Sequence, residues 1–474
     1  MGGLFGALDS SVSAIKALQN ALTVAENNVT NASTPGYASQ TPTFEATAFD
    51  PQNGLDGGVN SGPTQSTDNH YADQAVMAQY SLQGNFNAQS TALSSIQGLF
   101  DVTGQTGVIG ALNNLFQSFS AWASDPNSSG SQQGVISQAQ ALAEQFQSAA
   151  ATLGQSTTGI NNQISSTVQQ INNLAKQIAT DNAAIAPGNP PDPNAQANLE
   201  ASLESLSQLA DITVNYNSDG TVNVLLGGET GLVLGQQSYA ISANFTSAGS
   251  GGYPNAVPDA QILDSNGQDI TSQITQGSLG GLLNVRNTVL PSLQGDGTQQ
   301  GALNILAQQV ADRVNTILTG ATTLSGAPGS ALFTYSATSP IDVAATLAVN
   351  PAITPDQLAP ADSAASNGAA LELSNLGNSN AAADQINGET ILGYASGTAT
   401  QIGQQASDAQ TGENLHTQLL AQAQAVQTGI SGVSLDAEAA QVMQFQQGYD
   451  AVGKMVSVID SLSTTLINMI PATG

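Results

Sequence analysis

The sequence predicts a mainly α-helical protein with a β-rich insertion, and three features of the 474-residue chain support this fold class. Both ends carry apolar residues at helical spacing. Long interior stretches repeat that spacing, with Ala and Gln on the opposite faces, as in helical bundles. One central region instead alternates apolar and polar residues on both sides of a Gly-containing turn. We therefore expect discontinuous domains: terminal helices paired as a coiled coil, a long helical bundle next to them, and a β-rich outer domain.

The two terminal helices are predicted from apolar residues three and four positions apart, which lie on one face of a helix. Near the C-terminus these residues are Val442, Phe445, Tyr449, Val452, Val456, Ile459, Leu466 and Ile470. Near the N-terminus they are Leu8, Ile15, Leu18, Leu22 and Val29. Because neither helix has a core beside it in the sequence, the two should pack on each other or on another molecule. These residues are the predicted assembly interface.

The interior predicts a bundle that is interrupted by strands. Helical spacing of apolar residues recurs at 135–153, 160–185, 303–317 and 415–430. Alternation at Ile212–Tyr216 and Val222–Leu226, joined by Asn-Ser-Asp-Gly, predicts a β-hairpin. The expected domains are a terminal coiled coil (1–34 and 436–474), a helical bundle (35–210 with 280–324 and 401–435), a β-rich insertion (211–279) and a loop-rich outer segment (325–400).

The composition excludes several classes of function. The chain has five Lys plus Arg against 34 Asp plus Glu, which gives a formal net charge of −29. So few basic residues cannot neutralise a phosphate backbone, and we expect no nucleic-acid partner. No stretch approaches 18 uninterrupted apolar residues and the N-terminus lacks the pattern of a signal peptide, so neither a membrane partner nor a cleaved leader is expected.

Candidate chemical motifs are better explained as structure. Residues 448–455 resemble a phosphate-binding loop but lack the final Ser or Thr and lie inside the C-terminal helical pattern. Residues 215–226 open like a calcium loop but lack the Glu at the twelfth position, which favours the hairpin. His70 and His416 each stand without a metal-spaced partner in the sequence, and Trp122 lies on an apolar helical face. We therefore predict no enzyme, no catalytic residue, no metal site and no cofactor.

Two segments near the ends carry a resemblance to a known family. Residues 27–37, Asn-Asn-Val-Thr-Asn-Ala-Ser-Thr-Pro-Gly-Tyr, closely resemble the N-terminal signature shared by bacterial flagellar rod, hook and hook-associated proteins. Residues 432–438 and 446–451 resemble the matching C-terminal signature. The signature turn comprises Asn31, Thr34, Pro35, Gly36 and Tyr37. Pro35 and Gly36 should end the first helix, because the residue before Pro avoids the α region and Pro-Gly favours a turn.

The middle of the chain narrows the resemblance to hook-associated proteins of the hook–filament junction. Residues 115–146, 219–224 and 280–291 carry this likeness, which covers most of 1–320 and 405–474. Gln132-Gln133 stands where the family usually has an Arg, and Asn198-Leu-Glu-Ala201 replaces a usually charged run. Both departures remove charge from a bundle surface, which puts particular salt bridges in doubt but not the fold.

The resemblance implies a structural protein of the bacterial flagellum that joins hook to filament by self-assembly through its terminal helices. The implied partners are further copies in a ring, the hook protein, the neighbouring junction protein towards the filament, and an export chaperone on the C-terminal helix. The implied location is outside the cell at the hook–filament junction, after export without a cleaved signal peptide. Alternatives are another axial protein (hook or distal rod), a secreted acidic adhesin with a coiled-coil oligomerisation tag, and a hydrolase within the β-rich insertion.

Overall fold

A computed structural model describes residues 2–50, 55–99, 106–186, 193–246 and 252–469. The α-helices in these ranges are α1 (Gly2–Asn31), α2 (His70–Gln97), α3 (Gly107–Ser124), α4 (Ser129–Ile185), α5 (Pro193–Leu209), α6 (Gly277–Asn284), α7 (Leu290–Gln294), α8 (Ala302–Gly320), α9 (Val343–Thr346), α10 (Gly368–Asn375), α11 (Ile391–Ser431) and α12 (Leu435–Met469). A π-helical stretch, Val285–Val289, connects α6 to α7. None of the described helices combines the length and apolarity needed to cross a bilayer.

The strands are short and antiparallel. They are β1 (Gln40–Thr41), β2 (Phe44–Asp50), β3 (Leu55–Ser61), β4 (Gln65–Ser66), β5 (Ile212–Tyr216), β6 (Val222–Leu226), β7 (Thr230–Leu234), β8 (Gln237–Ser238), β9 (Ser242–Asn244), β10 (Gln261–Leu263), β11 (Phe333–Thr334) and β12 (Ala348–Val349). The largest described sheet has the order β5-β6-β7-β8 and occupies the middle of the chain. The predicted fold class, mainly α with a β-rich insertion, is therefore confirmed.

Helix α4 is the long axis of the helical body. Its 57 residues span about 85 Å at 1.5 Å per residue. The apolar faces predicted at 135–153 and 160–185 are both buried along this one helix, which packs against α3 and α5. Trp122 of α3 is fully buried in the same core, as expected. The body thus offers a rigid platform on which the chain ends are placed.

The predicted hairpin forms between β5 and β6 with Ile212 opposite Leu226. Its turn closes through the Asn217 N–H, which donates to the Thr221 carbonyl oxygen at 2.9 Å, and Gly220 adopts the positive φ of +84° that the turn requires. Asn182 of α4 hydrogen-bonds the backbone of β6 through both ends of its amide. The sheet is therefore fixed to the long helix.

The hairpin formed by β2 and β3 was not expected from the sequence. It lies within the range assigned to the helical bundle and packs beside α1. Most side chains of β2 are exposed on both faces, including Phe44 and Phe49. A strand without a buried face does not require alternating apolar and polar residues. The sequence of β2 therefore lacks the alternation from which a strand is predicted.

Residues 325–400 differ from the expected outer segment. They are rich in loops, as expected, but Leu332, Phe333, Leu358 and Leu373 are buried. Helix α10 packs on α3, and β11 packs on α8. Small residues in this stretch allow close packing without a periodic pattern, so the segment belongs to the core rather than to an outer lobe.

The apolar face predicted at 415–430 is also different in the structure. Leu415, Val426 and Ile430 are exposed on α11. The buried face of α11 comprises Ile391, Ala395, Ala399, Ile402, Ala409 and Leu420, and α11 packs along α2. Small Ala side chains let the two helices approach closely. The larger apolar residues of α11 are consequently left on the outside.

Candidate assembly interface

The two ends of the chain form one antiparallel helical pair, α1 with α12. The Ser11 hydroxyl lies 3.6 Å from the Met455 sulfur, and the Asn28 amide nitrogen lies 2.8 Å from a carboxylate oxygen of Glu438. Moving forward along α1 therefore means moving backward along α12. The sequence predicted that these helices would pack on each other or on another molecule, and in this chain they pack on each other.

The residues of the predicted assembly interface occupy three kinds of position. Half-buried along the pair are Leu8, Ile15, Leu18, Leu22, Val442, Phe445, Tyr449, Val452 and Val456. Ile459 is buried, Val29 and Leu466 are exposed, and Ile470 lies outside the described residues. On α1 the fully buried positions are small instead: Ala17, Ala21 and Ala25 are at most 1% exposed. Leu18 of the predicted stripe nevertheless faces α12, since a Cβ on Gly448 would lie 3.4 Å from its methyl carbons.

A row of apolar residues on α12 stays largely exposed to solvent in the paired helices. This outer stripe comprises Met455, Val458, Leu462 and Leu466, each at least half exposed, although Met455 also contacts Ser11 of α1 at one end of the row. Their spacing of three, four and four places all four on one side of the helix. Single exposed apolar residues are ordinary, but a continuous row of large ones is typical of an interaction surface.

Asn28 joins the two helices and the turn that follows α1. Its side chain is 1% exposed. The amide nitrogen donates to Glu438 and to the Gln40 carbonyl oxygen, both at 2.8 Å. The amide oxygen accepts from the Tyr37 hydroxyl and the Gln40 N–H, both at 2.9 Å. Burial and the nearby Glu438 carboxylate raise the pKa of Tyr37, so its hydroxyl stays a donor.

Sequence reasoning missed Asn28 and Glu438 as interface residues. A signal for Asn28 was present, because it continues the three-and-four spacing of Ala17, Ala21 and Ala25. A polar residue at the next position of a buried face requires a partner, since an unpaired buried amide is costly. The Glu438 carboxylate is that partner on α12, and it too is buried.

The signature turn fixes the exit of α1 onto the body. Its five positions are Asn31 and Gly36, both half-buried; Thr34 and Pro35, both exposed; and Tyr37, which is buried. Gly36 has φ +72°, and a Cβ there would lie 2.4 Å from the Ala197 carbonyl oxygen of α5. Only Gly meets both conditions without strain. Close contact with α5 is therefore the structural reason for glycine at this position.

Backbone contacts tie the same turn to the end of α11. The Ser39 N–H donates to the Ser431 carbonyl oxygen at 2.8 Å. The Thr67 hydroxyl lies within hydrogen-bonding distance of the carbonyl oxygens of both Ser39 and Ser431, at 3.0 and 3.2 Å. The terminal pair is thus connected to the helical body at one joint.

His70 is not isolated in the structure, although it stands alone in the sequence. Its Nδ1 lies 3.3 Å from a carboxylate oxygen of Asp68 and 3.8 Å from one of Asp73. The three side chains could hold a metal ion. His416, in contrast, stacks on Phe86 at 5.4 Å between ring centroids, and its Nδ1 lies 2.9 Å from the Gln79 amide oxygen.

Comparisons with known proteins agree with this architecture. Residues 93–333 match the model of the flagellar hook-associated protein FlgK helical domain. Residues 422–469, which include the whole of α12, match that of the flagellar basal body rod FlgEFG protein C-terminal region. In fold, the chain is similar to the flagellar hook junction protein FlgK from Burkholderia pseudomallei. That comparison has a TM-score of 0.60 at 17% identity over 76% of this chain and 100% of the other.

Curated relatives carry a consistent name. Flagellar hook-associated protein 1 of Bacillus subtilis is 27% identical over 521 aligned positions, covering 99% of each chain. The protein of that name from Escherichia coli is 27% identical over 292 positions, covering 59% of this chain and 52% of the relative. Because the helical-domain match alone spans just over half of its residues, the chain belongs to the flagellar hook-associated protein FlgK family and is a structural protein of the bacterial flagellum.

Proposed function

We propose that this protein forms the junction between hook and filament by self-assembly through its terminal helical pair. The single observation that carries this proposal is the outer stripe of α12, a row of large apolar residues left in water by the pairing with α1. A second supporting fact is that the relatives just described are named for the hook or its junction. The role is structural rather than enzymatic.

The outer stripe supplies a driving force for assembly. Full burial of a Leu or Val side chain stabilises by about 1.5–3 kcal/mol, so covering the exposed half contributes about 1 kcal/mol each. Four such residues therefore contribute about 4 kcal/mol per subunit when neighbouring subunits cover them. Identical subunits that bind head to tail close into a ring around the flagellar axis.

The small number of basic residues also favours apolar contacts between subunits. The whole chain has five Lys plus Arg. Two of them, Lys16 and Lys454, lie exposed on α1 and α12. So few cations cannot form a dense salt-bridge network between subunits, and exposed pairs contribute little in any case. Apolar contacts with amide and hydroxyl hydrogen bonds must therefore hold the subunits together.

The proposed partners follow from the family likeness and the two ends of the assembly. They are further copies of this chain, the hook protein, the neighbouring junction protein towards the filament, and an export chaperone on the C-terminal helix. The proposed location is extracellular, at the hook–filament junction. We propose that the interface residues of α1 and α12 and the signature turn act together in these contacts.

Substitution in the outer stripe tests the proposal. Leu462→Gln introduces a polar side chain on the assembling face of α12, and Leu371→Gln makes the same change at an exposed residue of α10. In a bacterium that carries either variant in place of its own chain, we expect both proteins to be exported. Cells with Leu462→Gln should shed their filaments into the medium, whereas cells with Leu371→Gln should stay motile.

Two further experiments separate the competing functions. Deletion of 436–474 should abolish filament attachment; motile, filamented cells would exclude the junction and favour an adhesin. Gold labelling of a tag placed at 247–251 should mark the hook–filament boundary, and label along the whole hook or in the rod would show another axial protein instead.

A further inference from the structure

An acid-lined cavity lies at the joint between the terminal pair and the body. It measures about 530 Å³ and is bounded by the signature turn, α5, the start of α2 and the end of α11. Four carboxyl groups line it: Asp68, Asp73, Glu200 and Glu204. Among the described residues that line the cavity there is no Lys or Arg. Carboxyl groups are thus concentrated in this cavity.

The spacing around His70 is close to that of a metal site. Its Nδ1 lies 3.3 Å from Asp68 Oδ2 and 3.8 Å from Asp73 Oδ2, and the three ligand atoms lie within 4.8 Å of one another. Ligands about 2.1 Å from a tetrahedral zinc ion are about 3.4 Å apart. The imidazole stacks on Tyr216 with ring centroids 3.7 Å apart, which holds the ring in this orientation.

Asp73 has a buried carboxylate oxygen that can still accept a ligand or a proton. The residue is 4% exposed. Its Oδ1 accepts a hydrogen bond from the Gln427 amide at 2.9 Å, but its Oδ2 accepts none from any residue that the structure describes. A buried carboxylate oxygen without a donor is costly unless a cation or a proton compensates it.

The carboxyl groups of Asp68, Asp73, Glu200 and Glu204 line one cavity, so their negative charges repel one another. A bound divalent cation would relieve this repulsion.

We propose that Asp68, His70 and Asp73 bind a divalent transition-metal cation of the zinc class at the wall of this cavity. The imidazole ligand favours such an ion, because calcium and magnesium prefer sites made of oxygen ligands alone. Three protein ligands leave a coordination position for water. The carboxylates of Asp68 and Asp73 balance the charge of a divalent ion, and Glu200 and Glu204 line the same cavity.

The site would reinforce the joint. All three ligands lie within residues 68–73, which span the start of α2. They follow directly after Thr67, whose hydroxyl contacts the carbonyl oxygens of Ser39 and Ser431. A metal ion bound there would fix the first turn of α2 to the residues that precede it. Metal binding should therefore raise the thermal stability of the protein.

The two histidines of the chain allow a matched test on the full-length protein after removal of metal with a chelator. Zinc is titrated by calorimetry against the unchanged chain, His70→Gln and His416→Gln. We expect one high-affinity zinc ion per chain, a loss of affinity of at least about tenfold in His70→Gln, and no change in His416→Gln. In proton NMR, zinc should move the imidazole signals of His70 and not those of His416.

The variant Asp73→Asn distinguishes a loss of metal binding from a folding defect. It removes a ligand and also the buried charge, so the unfolding temperature of the metal-free protein should rise while its further rise with zinc disappears. Zinc binding that survives His70→Gln, or equal competition by calcium, would overturn the proposed site. The absence of zinc uptake would also overturn it and would mean that the cluster holds only protons. These measurements do not depend on assembly, so their failure leaves the proposed junction function untouched.

Discussion

Asn28→Asp tests whether one buried amide holds the two ends of the chain together. The substitution keeps the shape of the side chain but replaces its donor by a carboxylate oxygen. That oxygen would face Glu438 Oε1 and the Gln40 carbonyl oxygen, both at 2.8 Å. Two attractive contacts become repulsive, so we expect the pairing of α1 with α12 to weaken.

The size of the effect follows from the distance. Two unit charges 2.8 Å apart repel by about 6 kcal/mol at an effective dielectric constant of about 20. The folded variant can avoid this by binding a proton, which for an ordinary Asp costs about 4 kcal/mol at pH 7 and about 1.5 kcal/mol at pH 5. Because the folded state then holds a proton that the unfolded chain releases, the destabilisation should grow as the pH rises from 5 to 7.

Hydrogen–deuterium exchange of the α1 and α12 amides measures the effect, with α4 amides as an internal reference. Asn27→Asp is the matched control, because it adds the same charge at the exposed neighbouring position. Adding Glu438→Gln to Asn28→Asp returns a donor opposite the new carboxylate and should restore more than half of the lost protection. Equal exchange in the Asn27 and Asn28 variants, or no recovery in the double variant, would refute the reasoning.

Three further predictions concern the turn, the cavity and assembly. Gly36→Ala should lower the free energy of unfolding by about 2–4 kcal/mol, because the residue has a positive φ and its new Cβ would clash with Ala197. The control Gly235→Ala also has a positive φ, +58°, but open space around it, and should cost only about 1 kcal/mol. Urea titrations would measure both values. The pKa values of Asp73 and Glu200 are raised in the folded protein, which therefore holds protons that the unfolded chain loses. The metal-free protein should consequently become more stable as the pH falls from 8 to 5. A decrease in stability over that range would contradict this prediction. Subunits with a net charge of −29 repel one another, and salt screens this repulsion. Light scattering should therefore show stronger assembly as the ionic strength rises. Assembly that weakens with salt would argue against apolar contacts.

Local signals made parts of the fold predictable. The β5–β6 hairpin forms as expected, because alternation and an Asn-Ser-Asp-Gly turn fix its register within a few residues. Helix α8 covers the predicted face at 303–317 for a similar reason. The β2–β3 hairpin and the packing of 325–390 were not predictable, since one has no buried face and the other depends on contacts distant in sequence.

The candidate interface was predictable in outline and less so in detail. Helical spacing identified both terminal helices, but it selected large apolar residues such as Leu18 and Leu22 as the seam. The structure buries Ala17 and Ala21 more deeply than these two residues, although Leu18 still faces Gly448 of α12. Ala carries little signal in an apolar pattern because it occurs equally on exposed helix faces. The cluster at Asp68, His70 and Asp73 was missed because its spacing matches no familiar metal motif.

Small residues occupy deeply buried positions of α1, whereas large apolar residues of α12 stay exposed. Each buried Ala methyl group contributes only about 0.8 kcal/mol, so Ala17, Ala21 and Ala25 add little to the stability of the pair. The outer stripe is apolar surface that a neighbouring subunit can still bury. Asn28 makes four hydrogen bonds to three partners, and any slip of α1 along α12 would leave its amide and Glu438 unpaired, so this residue selects the register of the pair. Register is thus set within each subunit, and a further stabilisation of about 4 kcal/mol becomes available when a neighbour covers the outer stripe.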